Sequence, residues 1–171
     1  MTMKLKNWIA VLLAVVCMVS VCACKDEKNE GNDPPPYAFV IDDVTVTPGA
    51  KAKDVLSALS SRNPTVSAKG SCLGGVDGED VRYVYSGFYI ETFRLSEGHA
   101  DEEIRWICFT DDSVTTQRGI KIGSTADEVK AEYGTNASAT DTLLAYQSSG
   151  TELRFKLRDG SVIEISYTVS E

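Results

Sequence analysis

His99 is the only histidine in this 171-residue chain, so any chemistry that needs an imidazole must use it. It stands in EGHADEE at 97–103, where Glu97, Asp101, Glu102 and Glu103 could join it around a divalent cation. Consecutive carboxylates on a turn point in different directions, whereas a metal site needs ligands that converge. The stretch therefore reads as a solvated hairpin loop, and no metal is assigned. Asp77, Glu79 and Asp80 make a second acidic patch, which lacks the spacing of an EF-hand calcium loop. A nucleophile made from Cys72 or Cys108 with His99 would need a thiol of lowered pKa, and no activating environment is visible in the sequence. Phosphate-loop, dinucleotide-binding, serine-hydrolase and zinc-protease motifs are missing from the sequence, so neither catalysis nor a cofactor is expected.

Tyr83, Tyr85, Phe88 and Tyr89 form the densest aromatic cluster. Tyrosine offers rigid contact area with a polar tip, which suits a partner-binding face; the alternative is ordinary strand packing. The charge balance narrows the class of partner. The chain carries a net charge of -8, and Lys4 and Lys6 lie in a leader without acids, so the remainder holds 15 basic and 25 acidic residues. Such a surface repels nucleic acid and anionic lipid headgroups.

The elements that must position these residues follow from periodicity. Hydrophobic residues at 43% and charged residues at 25% are globular composition. Residues 38–41 and 44–47 have strand composition and are ended by Pro48-Gly49. Ala52, Val55 and Leu59 fall on one face of a helix over 52–59. Residues 61–80 are polar and glycine-rich and read as a long loop. Strands follow at 81–85, 89–95 and 104–110, with Glu91, Phe93 and Leu95 on one face of the second and Ile104, Trp106 and Cys108 on one face of the third. A second helix carries Ala126, Val129 and Tyr133 at the same spacing as the first, started by a Thr125/Glu128 capping box. Strands at 143–146, around Leu153, Phe155 and Leu157, and through Ile163, Ile165, Tyr167 and Val169 complete the chain, the last two joined by the type I′ signal Asp159-Gly160. Phe93 aligns with Phe155 and Trp106 with Ile165, as one inward face used twice.

The expected fold is α+β: two tandem units, each a helix and a three-to-four-stranded antiparallel meander, forming one sheet with both helices on one side. The units run over 37–117 and 118–171. Ahead of them, 1–23 has a basic start, an apolar run and small residues, the layout of a secretory signal too short to span a bilayer comfortably. Residues 24–36, KDEKNEGNDPPP after Cys24, cannot pack and form a Pro-rich tether.

Val21-Cys22-Ala23-Cys24 resembles the bacterial lipobox, with Cys22 where Ala, Ser or Thr is more usual. The resemblance implies that Cys24 carries a thioether-linked diacylglycerol, whose two chains suffice for stable anchoring. It places the protein outside the cytoplasm on a bacterial cell membrane or outer membrane, and Lys25-Asp26-Glu27 is similar to the surface-export signal of Bacteroidetes lipoproteins. With Cys17 and Cys22 in the leader and Cys24 lipidated, Cys72 and Cys108 remain, either as a disulfide across a flexible loop or as two separate thiols.

GIKIGSTADEVKAEYG at 119–134, followed by RFKLRDGSVIEI at 154–165, resembles the helix-and-meander pattern of two extracytoplasmic groups. One is the SmpA/OmlA outer-membrane-assembly lipoproteins; the other is the beta-lactamase inhibitor protein, built from two such units in tandem. The similarity covers about residues 44–60 and 119–169. It implies a fold and carries over no functional residue. The expected function is a membrane-anchored binding or scaffolding module with an envelope protein as partner, and the alternative is an inhibitor of a secreted or wall-acting hydrolase.

Overall fold

A computed structural model describes residues 37–73, 75–95, 102–135 and 137–170. Cys24 with the leader and tether, and His99 with the loop around it, lie outside the described residues. Strands β1 (Phe39–Ile41) and β2 (Val44–Val46) pair antiparallel around Asp42 and Asp43, both at positive φ. That is the type I′ geometry whose twist matches the flanking strands. Ser149-Gly150 and Asp159-Gly160 make the same kind of turn further on.

Helix α1 (Ala52–Ala58) buries Ala52 completely, and Leu59, which caps its C-terminus, is 1% exposed, as the sequence spacing predicts. After a 3-10 turn at Ser60–Arg62 come β3 (Thr65–Leu73), β4 (Val76–Val84), β5 (Phe88–Leu95) and β6 (Glu103–Phe109). Helix α2 (Ala126–Tyr133) is followed by β7 (Ser138–Thr140), β8 (Leu143–Ser148), β9 (Thr151–Arg158) and β10 (Ser161–Val169). The capping box is formed: the Thr125 side chain accepts from the Glu128 N–H at 3.2 Å, and the Glu128 carboxylate accepts from the Thr125 N–H at 2.7 Å. Val129 on this helix is fully buried.

The expected loop over 61–80 is largely a hairpin. Thr65–Leu73 pairs with Val76–Val84 through nine consecutive register pairs. Its polar, glycine-bearing sequence hides it because an edge strand buries little and so shows no alternation.

The other eight strands join one antiparallel sheet in the order β3-β4-β5-β6-β10-β9-β8-β7. Both helices and the β1–β2 hairpin send side chains into a single cluster with one face of it. Phe39 is the centrepiece, edge-on to Phe88 and Phe109 at 4.9 Å each and 6.4 Å from Tyr167. Burial of each such side chain contributes about 1.5–3 kcal/mol. The result is one compact unit, Pro34–Glu171, that is mostly antiparallel sheet.

Two bulges overturn the expected facing of the central strands. Glu91 pairs with Trp106 but Thr92 with Ile104, leaving Arg105 extra in β6. Val162 pairs with Leu157 but Glu164 with Lys156, leaving Ile163 extra in β10. An inserted residue reverses the parity of everything after it. Ile104, Ile107 and Phe109 therefore line the core, with Trp106 and Cys108 on the opposite face, and Val162 replaces Ile163 beside Ile165 and Tyr167. Phe93 also lies away from the core, over Gly78, where its ring fills the space a Cβ would take.

Candidate functional site

Among the described residues, the core takes one face of the sheet and no helix packs on the other. Cross-strand register arranges that second face in rows. One runs Val84, Tyr89, Cys108, Ser166, Arg154, Ala145 across β4, β5, β6, β10, β9 and β8. The next runs Arg82, Glu91, Trp106, Thr168, Glu152, Gln147 across the same strands.

Arg82 is the prominent side chain. Its guanidinium lies 4.4 Å from the centroid of the Tyr89 ring and donates to one Glu91 oxygen through Nε at 3.0 Å and Nη2 at 2.7 Å. The side chain remains 49% exposed, so the pair adds little to stability. Its effect is to hold a cation over the face of an aromatic ring at the surface. The hydrogen bond to Glu91 raises the Arg82 pKa further. On the far side, Arg154 donates through Nε to Glu152 at 2.8 Å.

Between the two arginines the face is sheltered. Cys108 is 6% and Ser166 2% exposed. Burial raises the Cys108 thiol pKa, and interactions with Tyr89 and Trp106 offset only part of that. Burial likewise lifts the Tyr89 phenol well above its ordinary range. The Trp106 indole N–H is shielded from solvent and makes no hydrogen bond of normal geometry. A buried donor left without an acceptor costs about 1–3 kcal/mol. Among the described residues, no three His, Cys, Asp or Glu side chains converge on a metal position. Asp77 and Glu79 alternate in β4 with Gly78 and Asp80, which splits that acidic patch between faces, and Glu79 pairs with Arg94 at 2.6 Å.

The aromatic cluster read from the sequence is divided in the same way. Phe88 is fully buried, and Tyr85 stacks on it at 4.8 Å, so both belong to the core. Tyr83 sits on the core side near the sheet margin and donates to Glu102 at 3.0 Å; burial, then that carboxylate, push its pKa up to about 12. Tyr89 alone reaches the helix-free face. Four aromatic residues within seven positions of a hairpin cannot share one face, because side chains alternate. Arg82, Glu91 and Trp106 are the residues the sequence reading missed. The first two carried a visible signal, the same parity as Tyr89 across the hairpin, whereas the bulge concealed Trp106.

Cys72 and Cys108 are both free, the first exposed and the second buried. Of the two alternatives the sequence leaves open, a disulfide or two separate thiols, the structure has the separate thiols. Cys72 lies in a strand, and the register row of Cys108 meets β3 at Thr65. Cys72 is thus roughly 23 Å along the strand from that row, and roughly 14 Å away across three strand spacings. Comparisons with protein-family models, curated proteins and solved structures found no match to this chain.

Proposed function

We propose that this chain is a membrane-anchored extracytoplasmic lipoprotein that acts as a protein-binding or scaffolding module of the cell envelope, with the helix-free sheet face as its contact surface. The observation that carries the reading is the exposed Arg82 held over the ring of the half-buried Tyr89, beside the half-buried Trp106. Arg, Tyr and Trp are the residue types that dominate the energetics of protein interfaces. Lipidation at Cys24 supplies the anchor and residues 24–36 the leash.

The test is cross-linking of the full-length protein in cells, with Arg82→Ala/Trp106→Ala as the contrast. A partner captured by the parent and lost from a folded double variant is the expected result; equal capture by both removes the face from the reading. Labelled palmitate should enter the protein and should fail to enter Cys24→Ala.

The architecture reading beneath this is a duplicated helix-and-meander unit. Its support lies in matching backbone contacts. Gly49 N–H donates to the Ile104 carbonyl at 2.7 Å and Gly123 N–H to the Val162 carbonyl at 2.8 Å. Ala52 N–H reaches Glu102 and Ala126 N–H reaches Gly160, at 2.8 and 2.9 Å. The bulged residues, Arg105 and Ile163, each follow the strand residue so contacted. Ile107 then corresponds to Ile165, and Ile90 to Phe155. This tandem arrangement favours the second reading, a hydrolase inhibitor similar to the beta-lactamase inhibitor protein. Absence of inhibition at micromolar concentration against a panel of secreted and wall-acting hydrolases would remove it.

A further inference from the structure

The two ends of the large sheet are finished very differently. At one end β7 has three residues; at the other β3 has nine, paired to β4 without a bulge or proline. From Thr65 to Gly70 every residue of β3 is exposed. Among the described residues no strand pairs with its outer side, and an edge of this length presents a row of unpaired backbone donors and acceptors, which natural proteins normally shorten, bulge, interrupt or guard with charges such as a lysine.

The direction of those groups follows from the hairpins. Tyr85 N–H donates to the Phe88 carbonyl at 2.9 Å, so the odd-numbered residues of β4 bond toward β5 and the even-numbered ones toward β3. Their β3 partners are Thr65, Ser67, Lys69, Ser71 and Leu73. Val66, Ala68, Gly70 and Cys72 therefore point their N–H and C=O groups outward, where a ninth strand would bond.

Lys69 selects what that strand can be. It sits mid-strand with its backbone turned to β4, so an added strand would meet it in a non-hydrogen-bonded pair, the kind that brings facing side chains closest. Asp80 is its register partner, yet no ion pair forms between them within 4.0 Å. A second copy of this chain, paired antiparallel so that all four outward residues are used, would place Lys69 against Lys69. The same lysine that opposes a second copy favours a strand with a carboxylate at that position.

We propose that β3 is a strand-addition site for an extended segment of a partner protein carrying an acidic residue opposite Lys69. Backbone bonds to Val66, Ala68, Gly70 and Cys72 supply the pairing, and the Lys69 contact supplies the choice of register and partner. The backbone edge is separate from the Arg82–Tyr89 contact, although Lys69 lies on the same sheet face as Asp80 and Arg82, and strand addition does not need that contact.

The probe is a fluorescent nine-residue peptide of alternating Thr and Val with Glu at its centre, set beside one with Lys at its centre. Binding to the full chain in detergent is read by anisotropy. The Glu peptide is expected to bind at least fivefold more tightly than the Lys peptide, and Lys69→Glu is expected to reverse that order. Ala68→Pro removes an outward N–H without touching the β3–β4 ladder and should abolish binding of both peptides, with its circular dichroism unchanged. Equal affinity for the two peptides, or binding that survives Ala68→Pro, overturns the proposal. So does self-association of the parent, by sedimentation, that Ala68→Pro abolishes, since the occupant would then be a second copy.

Discussion

Two thiols of one chain sit in opposite surroundings, and their chemistry should differ accordingly. Cys108 is enclosed between Tyr89, Trp106 and Ser166, where burial disfavours the thiolate that any electrophile must meet. Cys72 is exposed at the end of the long edge strand. A thiol reagent at neutral pH is expected to modify one cysteine among 37–171 promptly, at Cys72, and to reach Cys108 only when the protein is unfolded. Mass spectrometry of the labelled peptides checks this. Rapid native labelling of Cys108 would mean that the second face of the sheet opens to solvent. At the same scale Gly78 is fixed by contact: a Cβ there would stand 2.4 Å from the Phe93 ring and 2.6 Å from the Arg94 carbonyl. Gly78→Ala should cost about 1–3 kcal/mol in urea unfolding through overpacking.

At the scale of elements, helix α2 depends on its first turn. Hydrogen bonds from the Thr125 N–H and hydroxyl hold the Glu128 carboxyl below its ordinary pKa of 4.5. A lowered folded-state pKa means that the contribution is complete above the ordinary value and is lost as pH falls through the folded one. Glu128→Gln should therefore unfold at a lower temperature than the parent at pH 7, and the gap should close as pH falls below the ordinary value and through the lowered folded-state one. Thr125→Ala should lose about 1 kcal/mol at neutral pH. Thermal melts followed by circular dichroism report both. This cap was legible in the sequence because all of its information is local: a threonine, a glutamate three residues on, and an apolar face. The Asp159-Gly160 turn was legible for the same reason. Strand facing was not, because a bulge is decided by how two strands fit and leaves no periodic trace in either. Nor was β3, which is exposed from Thr65 to Gly70 whichever way its side chains point and so carries no apolar alternation.

The whole molecule is closed by a hairpin outside the large sheet. Phe39 from β1 touches Phe88, Phe109 and Tyr167, which come from β5, β6 and β10 on both sides of the central seam. Phe39→Ala should cost about 3–5 kcal/mol and reduce the stability of the whole unit in a single urea transition. A separate early transition confined to one half would show that the halves do not share a core. The helix-free face and the β3 edge lie outside this cluster, so variants there can test binding without disturbing the fold. Of the aromatic residues singled out in the sequence, Phe88 and Tyr85 belong to the core, and only Tyr89 lies on the other face, because alternation along the hairpin divides them.

The strand order has a kinetic consequence. In the large sheet every neighbouring pair is also consecutive in sequence except β6 with β10, which are joined by three register pairs. The local hairpins close short loops and can form early, whereas this seam brings together the ends of the two halves and bears most of the loop-closure entropy. Refolding should therefore wait on Ile107 meeting Tyr167, and truncating either side chain should slow folding more than truncation at an equally buried position in the outer strands.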